Sequence, residues 1–425
     1  MLHAYMDSSV ASLLLNDSPN GFIKFYSAFL RNIAIDFLYA VEQQKYIAHL
    51  DLDCFFVSVE RIKDPLLNGK AVIVGGSPTG RGVVASASYE ARAFGVRSAM
   101  PTGRALRLCP HAIVVHGHYS DYGNYSNRLY RRVCEIAPLV ERASIDEMYM
   151  DFTGCERLYG GDLPAYMKTL QRLVWEEFQL PCSIALASNK TVAKIAVAKA
   201  KPNGVITVPP GTEAAFLAPL PVDALPGVGQ KTAEDLKRKN FQTVADLQAV
   251  PRERMEKLFG MYGGYLFDAA HGKGSVTVHT EHTRKSISKE RTFSDDTNDI
   301  RRLEKILFSL TEGVCAILRS HHWKARTVTV KFRYADFTTF TRRETIEPAN
   351  YEPDVFRTAR RLLRASYNRA VPLRLIGVGL SNFIDETQTE LPLFAAPSKR
   401  DALLIAVDAL KKKFGADVIH VGGVE

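Results

Sequence analysis

Polar and apolar residues begin to alternate at Tyr46-Ile-Ala-His-Leu-Asp-Leu-Asp53, which predicts a strand, and from Cys54 to Arg61 the apolar spacing becomes that of a helix. The apolar runs Ala71-Val-Ile-Val-Gly75 and Gly82-Val-Val-Ala-Ser86 predict two further strands. Strands and helices keep alternating to about residue 208, the pattern of an α/β or α+β region, and Pro-Pro-Gly at 209–211 ends it. From Thr212 to His271 the pattern changes to short helices broken by glycines. The polar, threonine-rich stretch Gly272–Lys285 has no sustained period and predicts a linker. Beyond it lies a second mixed module, from Ser286 to about Asp385, with long helices over Asp299–His321 and Tyr351–Tyr367 among strands. An extended segment and an amphipathic helix over Lys399–Phe414 finish the chain. Residues 1–44 read as an appended segment, one amphipathic helix behind a loose start.

A chain of 425 residues with 46% hydrophobic and 24% charged residues is of ordinary globular composition and long enough for several domains, which excludes disordered and collagenous classes. Its net charge of +9 favours a polyanionic partner. Most of that charge is local: Arg284–Asp385 holds 20 Lys and Arg against 12 Asp and Glu, a net +8. The six cysteines are scattered, with no C-x-x-C pair and no histidines at ligand spacing, which argues against a zinc site or a disulfide framework and fits a reducing cytosol. The apolar stretch Phe22–Val41 is interrupted by Lys24, Arg31 and Asp36, so neither a membrane span nor a signal peptide is expected.

Two acidic constellations carry the candidate chemistry. Asp51 and Asp53 end the first strand and point to one face, a pair that alone is also compatible with a solvated strand end. Ser144-Ile-Asp-Glu147 opens a second strand; Asp146 and Glu147 are neighbours and serve one site only if the chain bends there, as at a hairpin tip. Crowded hard carboxylates call for a divalent cation, and an all-oxygen set suits Mg²⁺ or Mn²⁺.

His49-Leu-Asp-Leu-Asp-Cys-Phe-Phe56, Ala87-Ser-Tyr-Glu-Ala-Arg-Ala-Phe-Gly-Val-Arg-Ser-Ala-Met-Pro101, Ser144-Ile-Asp-Glu147 and Ala200-Lys-Pro-Asn-Gly204 stand in the order and spacing of the Y-family DNA polymerases. The chain resembles that family, in its DNA polymerase IV branch, over about residues 45–394. The resemblance implies an α+β right-hand polymerase: an N-terminal extension (1–44), a ferredoxin-like palm (45–52 and 120–208), small fingers (53–119), a helix-hairpin-helix thumb (209–273), a linker (274–285), a mixed α/β little finger (286–385) and a tail (386–425). It implies low-fidelity, translesion DNA synthesis without proofreading by a cytoplasmic monomer.

The same resemblance assigns roles. Asp51, Asp146 and Glu147 would hold two Mg²⁺ ions, with Mn²⁺ able to substitute, and Leu52 would add its backbone carbonyl. Asp53 stands outside the family's essential set of three carboxylates, and its plain role is to orient the turn. Phe56 would be the steric gate that rejects a ribose 2′-hydroxyl. Ser86, Tyr89, Arg92 and Lys201 would bind the incoming deoxynucleoside triphosphate. Lys201 also belongs to a run with Lys190, Lys194 and Lys199 that by itself reads as a solvated helix face. Two positions depart from the family pattern, Ser88 where Asn is common and Ala198 where an acidic residue is common, and neither is a metal ligand.

Leu225-Pro-Gly-Val-Gly-Gln-Lys matches a helix-hairpin-helix turn, whose Gly227, Gly229 and Lys231 would grip primer-template DNA by its backbone. In Arg326–Tyr334, Thr327, Thr329, Lys331 and Arg333 alternate with Val328, Val330, Phe332 and Tyr334, so that one face meets phosphates and the other a core. Gln388, Leu391, Leu393 and Phe394 resemble the bacterial sliding-clamp peptide. A nucleotidyl cyclase would share the two-metal carboxylates but would not need the thumb turn, the basic module or the clamp peptide. An inactive clamp-bound scaffold would not need all three carboxylates.

Overall fold

The computed structural model describes residues 44–281, 283–385, 399–415 and 418–419. The amphipathic segment expected within 1–44 and the clamp peptide at 388–394 lie outside the described residues, the former except for its last residue. The described chain forms two compact units. One comprises residues up to Val74 with Ala85–Arg97 and His111–Thr280; the other comprises Gly75–Val84, Ser98–Pro110 and Glu281 onward.

The first part of the chain runs β1 (Ile47–Leu52), α1 (Phe55–Lys63), β2 (Val72–Gly75), β3 (Val84–Ala87), α2 (Tyr89–Ala93), α3 (Thr102–Leu108) and β4 (Ile113–Val115). It continues with α4 (Tyr119–Ile136), β5 (Leu139–Arg142), β6 (Glu147–Asp151), α5 (Leu163–Phe178), β7 (Cys182–Ala187), α6 (Lys190–Ala200) and β8 (Val205–Thr207). Its main sheet has the order β5-β6-β1-β7-β8. The first four strands are antiparallel and β8 joins in parallel, so β1-α4-β5-β6-α5-β7 is a ferredoxin-like βαββαβ unit with an added edge. β1 lies at its centre, buried at all six positions, which is why both its faces are apolar apart from His49 and Asp51.

Helical period places the covering helices. Tyr122, Ser126, Leu129 and Val133 of α4 and Leu163, Met167, Leu170, Val174 and Phe178 of α5 recur every three or four residues and are buried in one core with Leu50, Leu52 and Met148. Asp162 caps α5 through the Ala165 amide (2.9 Å) and Asn189 caps α6 through Val192 (3.1 Å). The helical module follows as α7 (Glu213–Leu217), α8 (Gln230–Arg238), α9 (Val244–Gln248), α10 (Arg252–Phe259) and α11 (Met261–Ala270).

The stretch read as a linker has no regular secondary structure, yet its first half is fastened. Asn189 Nδ2 donates to Gly272 O (2.7 Å), the Lys190 amide to Ser275 O (3.0 Å), and the His279 amide to Glu141 Oε2 (2.7 Å). Val278 is buried against Ile47 and Tyr149. Charge and packing therefore hold an apparently featureless segment along the sheet.

In the second unit β9 (Ser286–Thr297), α12 (Ile300–Ser320), β10 (Trp323–Tyr334), β11 (Thr339–Ala349), α13 (Glu352–Ser366) and β12 (Leu373–Asp385) form another βαββαβ run. Its antiparallel sheet has a different order, β11-β10-β12-β9. Val328, Val330, Phe332 and Tyr334 face the core as their alternation requires, but Thr327 is buried too, accepting a bond from Asn382 Nδ2 (2.9 Å). Arg81 from the loop 75–84 donates to Phe293 O (3.1 Å) and Asp296 Oδ1 (2.6 Å) within this unit. The final helix α14 (Lys399–Phe414) is tied to α12 by Asp408 with Arg319 (2.6 Å) and Lys411 with Glu312 (2.8 Å).

Candidate active site

The site grows from the register of two strands. Asp51, next to last in β1, is the direct antiparallel partner of Glu147, the first residue of β6. Facing residues in such a pair bring their Cβ atoms to roughly 5 Å. The bend that adjacent Asp146 and Glu147 need is the β5–β6 hairpin. Its turn is closed by the Ala143 and Ser144 amides donating to Glu147 O (3.0 and 3.2 Å). Ser144 Oγ organises it further, accepting from the Asp146 and Glu147 amides (3.2 and 3.0 Å) and donating to Asp146 Oδ1 (2.5 Å). The Leu52 amide donates to Asp146 O (3.0 Å), fastening the hairpin to the end of β1.

Lysines from the α6 side pair with these carboxylates. Lys201 Nζ lies 2.5 Å from Asp51 Oδ1, and Lys194 Nζ lies 2.5 Å from Glu147 Oε2. Asp51 is 6% exposed, and burial raises its pKa to about 6 against the pull of Lys201, with Glu147 and Asp146 adding to the rise. Glu147 is held below the usual glutamate range, with His49 the first cause and Lys194 the next. His49 Nε2 is 3.7 Å away, beyond hydrogen-bond length, and burial disfavours its own protonation, so the ammonium is the charge that stabilises this carboxylate at neutral pH.

Among the described residues, no three Asp, Glu, His or Cys side chains are gathered tightly enough to hold an ion. The arrangement nevertheless fits a divalent cation. Strand register sets Asp51 beside Glu147, and Asp146 follows in the turn. The cations now against two of the three are ammonium groups, which show that positive charge is what this acidic corner requires.

Asp53, 2% exposed, is committed elsewhere. It accepts from Tyr89 OH (3.0 Å), Ser183 Oγ (2.9 Å) and the Asn203 amide (2.6 Å), joining the end of β1 to α2 and to the loop after α6. Phe56 is half-buried on α1, stacked face to face on Tyr122 (4.2 Å, 11°) and edge-on to Tyr119 (5.8 Å). Ser86 is buried on β3. Arg92 donates from Nε to Ala87 O (2.9 Å) and lies 5.0 Å over the Tyr89 ring. Ser88 caps α2 through the Ala91 amide (3.3 Å) and accepts from the Val72 amide (3.0 Å). Ala198 is exposed on α6.

Lys190, Lys194 and Lys201 do not form a solvated face. Lys190 pairs with Glu141 (2.6 Å), and the three engage three different carboxylates of the sheet and its edges; Lys199 is exposed. Sequence reasoning missed Lys194 and the turn-forming role of Ser144. The four-residue step from Lys190 to Lys194 was a signal, because it sets both on one side of α6.

The thumb turn is built as its sequence requires. Gly227 has φ +86°, a left-handed conformation natural to glycine, and Gly229 caps α8. Tyr262 OH donates to Gly227 O (3.0 Å) and Tyr265 OH to Pro226 O (2.5 Å). Lys231 is exposed in the first turn of α8. Lys331 pairs with Glu290 (2.9 Å) and Arg333 Nε donates to Thr339 Oγ1 (2.8 Å).

A ferredoxin-like sheet with carboxylates clustered across β1 and the β5–β6 hairpin, followed by a helix-hairpin-helix module and a basic mixed domain, defines a nucleotidyltransferase of the right-hand polymerase class. The impB/mucB/samB family model matches residues 50–198 and its C-terminal domain model residues 284–393, while a DNA polymerase-iota thumb model matches 223–273. A DNA polymerase IV of Dehalococcoides mccartyi strain CBDB1 is 39% identical over 378 residues, 88% of this chain and 96% of its own. The Y-family DNA polymerase chimera Dbh-Dpo4-Dbh superposes with a TM-score of 0.72 at 28% identity, over 80% of this chain and 99% of its own. An insertion ternary complex of Dbh DNA polymerase gives 0.56 at 26% identity over the same shares. The chain belongs to the Y family of DNA polymerases, in its DNA polymerase IV branch, and is a translesion, DNA-directed DNA polymerase. Nucleotidyl transfer of this kind depends on divalent metal.

Proposed function

We propose that this chain binds primer-template DNA and extends the primer 3′-hydroxyl with deoxynucleotides through Asp51, Asp146 and Glu147, which hold two Mg²⁺ ions, with Mn²⁺ able to substitute and the Leu52 carbonyl as a further oxygen donor. The observation that carries this reading is the Asp51–Glu147 register pair with Asp146 beside it in the turn. The ions would supply a more acidic primer hydroxyl and neutralise triphosphate charge. The chain's own residues do the rest. Lys201 leaves Asp51 for the polyphosphate as nucleotide arrives, and Arg92, Tyr89 and Ser86 complete that cradle. The Phe56 ring occupies the space a 2′-hydroxyl would need. Gly227, Gly229 and Lys231, with Lys331 and Arg333, hold DNA by its backbone.

The remaining assignments belong to the same proposal: palm, fingers, thumb and little finger at the boundaries given above, a monomer acting in the cytoplasm, and a sliding clamp bound through Gln388, Leu391, Leu393 and Phe394. Primer extension by wild type and Asp146→Ala tests the chemistry. Loss of extension in the variant is expected, and extension at the wild-type rate removes the carboxylate assignment. Deleting 388–394 should abolish clamp-stimulated synthesis and leave unstimulated synthesis intact; unchanged stimulation removes the clamp assignment. Phe56→Ala should raise ribonucleotide incorporation at least about tenfold.

A further inference from the structure

A steric gate rejects a ribonucleotide only as strongly as its ring resists being pushed aside. An aromatic side chain turns about two bonds, and a rotation of some 30° out of its well costs of order 1 kcal/mol. What stands behind the ring therefore adds to selectivity. Behind Phe56 stands Tyr122, stacked on it at 4.2 Å with the planes only 11° apart. Phe55 and Tyr119 close the edges of the stack, at 6.3 and 5.6 Å from the Tyr122 ring.

Tyr122 is fully buried and fixed at its far end. Its hydroxyl donates to Glu60 Oε1 (2.6 Å) and accepts from the His118 amide (3.1 Å). Glu60 is 4% exposed, a carboxylate seldom buried unless it is partnered, and the chemistry above gives it no task. The same Oε1 lies 3.1 Å from His118 Nδ1, and Lys63 Nζ lies 3.9 Å from Oε2. Phe56 and Glu60 are four residues apart on α1, so they share one face of the helix. The Tyr122 ring bridges that step, meeting the gate with its face and the carboxylate with its hydroxyl.

We propose that Glu60 is a positioning residue for sugar selection: by anchoring the Tyr122 hydroxyl it stiffens the aromatic wall against which Phe56 excludes a 2′-hydroxyl. The inference rests on the reading of Phe56 as the gate. Releasing the anchor lets the wall retreat, so ribonucleotide kcat/KM rises while the deoxynucleotide value, which needs no retreat, changes less.

The experiment measures single-nucleotide kcat/KM for deoxy- and ribonucleoside triphosphates in wild type, Glu60→Ala, Glu60→Gln, Tyr122→Phe, Phe56→Ala and the double variant Glu60→Ala/Phe56→Ala. Glu60→Ala and Tyr122→Phe are expected to lower the deoxy-to-ribo ratio by roughly two- to tenfold. Glu60→Gln, which keeps an oxygen to accept the hydroxyl, should restore most of it. In the Phe56→Ala background, Glu60→Ala should add nothing. Tyr122→Phe preserves ring volume and carries the test if Glu60→Ala does not fold. A wild-type ratio in Glu60→Ala and Tyr122→Phe alongside a collapsed ratio in Phe56→Ala overturns the inference and leaves the gate standing. A loss of ratio equally large with and without Phe56 also overturns it, because the effect then bypasses the ring. A wild-type ratio in Phe56→Ala instead removes the gate reading itself.

Discussion

Asp51 and Glu147 are direct cross-strand partners, and each is paired with its own lysine: Lys201 at 2.5 Å and Lys194 at 2.5 Å. Two carboxylates this close repel unless cations stand between them. The protein thus carries its own countercharge into this acidic corner.

With Glu147 as a metal ligand, as proposed above, the ammonium of Lys194 competes with the ion for it. Lys194→Met is expected to tighten Mn²⁺ binding to the free protein by roughly tenfold, since an ion pair near a protein surface is worth a few kcal/mol before screening. Isothermal titration measures it, and an unchanged affinity means that the ammonium is not a competitor.

Ser144 Oγ holds the backbone amides of both Asp146 and Glu147 and one oxygen of Asp146. Ser144→Ala removes three bonds from the tip while leaving the β5–β6 ladder in place. Each such bond contributes on the order of 1 kcal/mol to stability, so the expected result is a melting temperature lowered by a few degrees together with a loss of kcat of about tenfold or more. A variant as active as wild type would mean that the ladder alone aims the two acids.

At Gly227 the limit is conformation and not space: an added Cβ would meet Tyr265 no closer than 3.7 Å, an ordinary contact, but φ is +86°. Gly227→Ala should strain the hairpin by about 1–2 kcal/mol and weaken duplex binding by a similar factor at every sequence. Fluorescence anisotropy with two unrelated duplexes checks this; weakening confined to one sequence contradicts a backbone grip.

Local pattern made a good part of this legible. The alternation at Tyr46–Asp53 is β1, the helices expected over Asp299–His321 and Tyr351–Tyr367 are observed as Ile300–Ser320 and Glu352–Ser366, and the bend demanded by adjacent Asp146 and Glu147 is the β5–β6 hairpin. What stayed hidden depends on long-range pairing. The second sheet's order sets β9 beside β12, which no local period encodes. The lysines of α6 look solvated until the sheet beneath them supplies Glu141 and Glu147. Glu60 gives no local signal either: the buried hydroxyl it accepts from, Tyr122, comes from α4, a helix that starts 59 residues further on at Tyr119.

Counting metal ions tests the account most directly. With primer-template and a non-reactive deoxynucleotide analogue bound, electron paramagnetic resonance titration of Mn²⁺ should give two ions per chain, magnetically coupled, in the wild type. Asp51→Asn and Asp146→Asn should each lose at least one ion and the coupling. Two coupled ions retained in both variants would contradict the claim that these carboxylates form the metal centre.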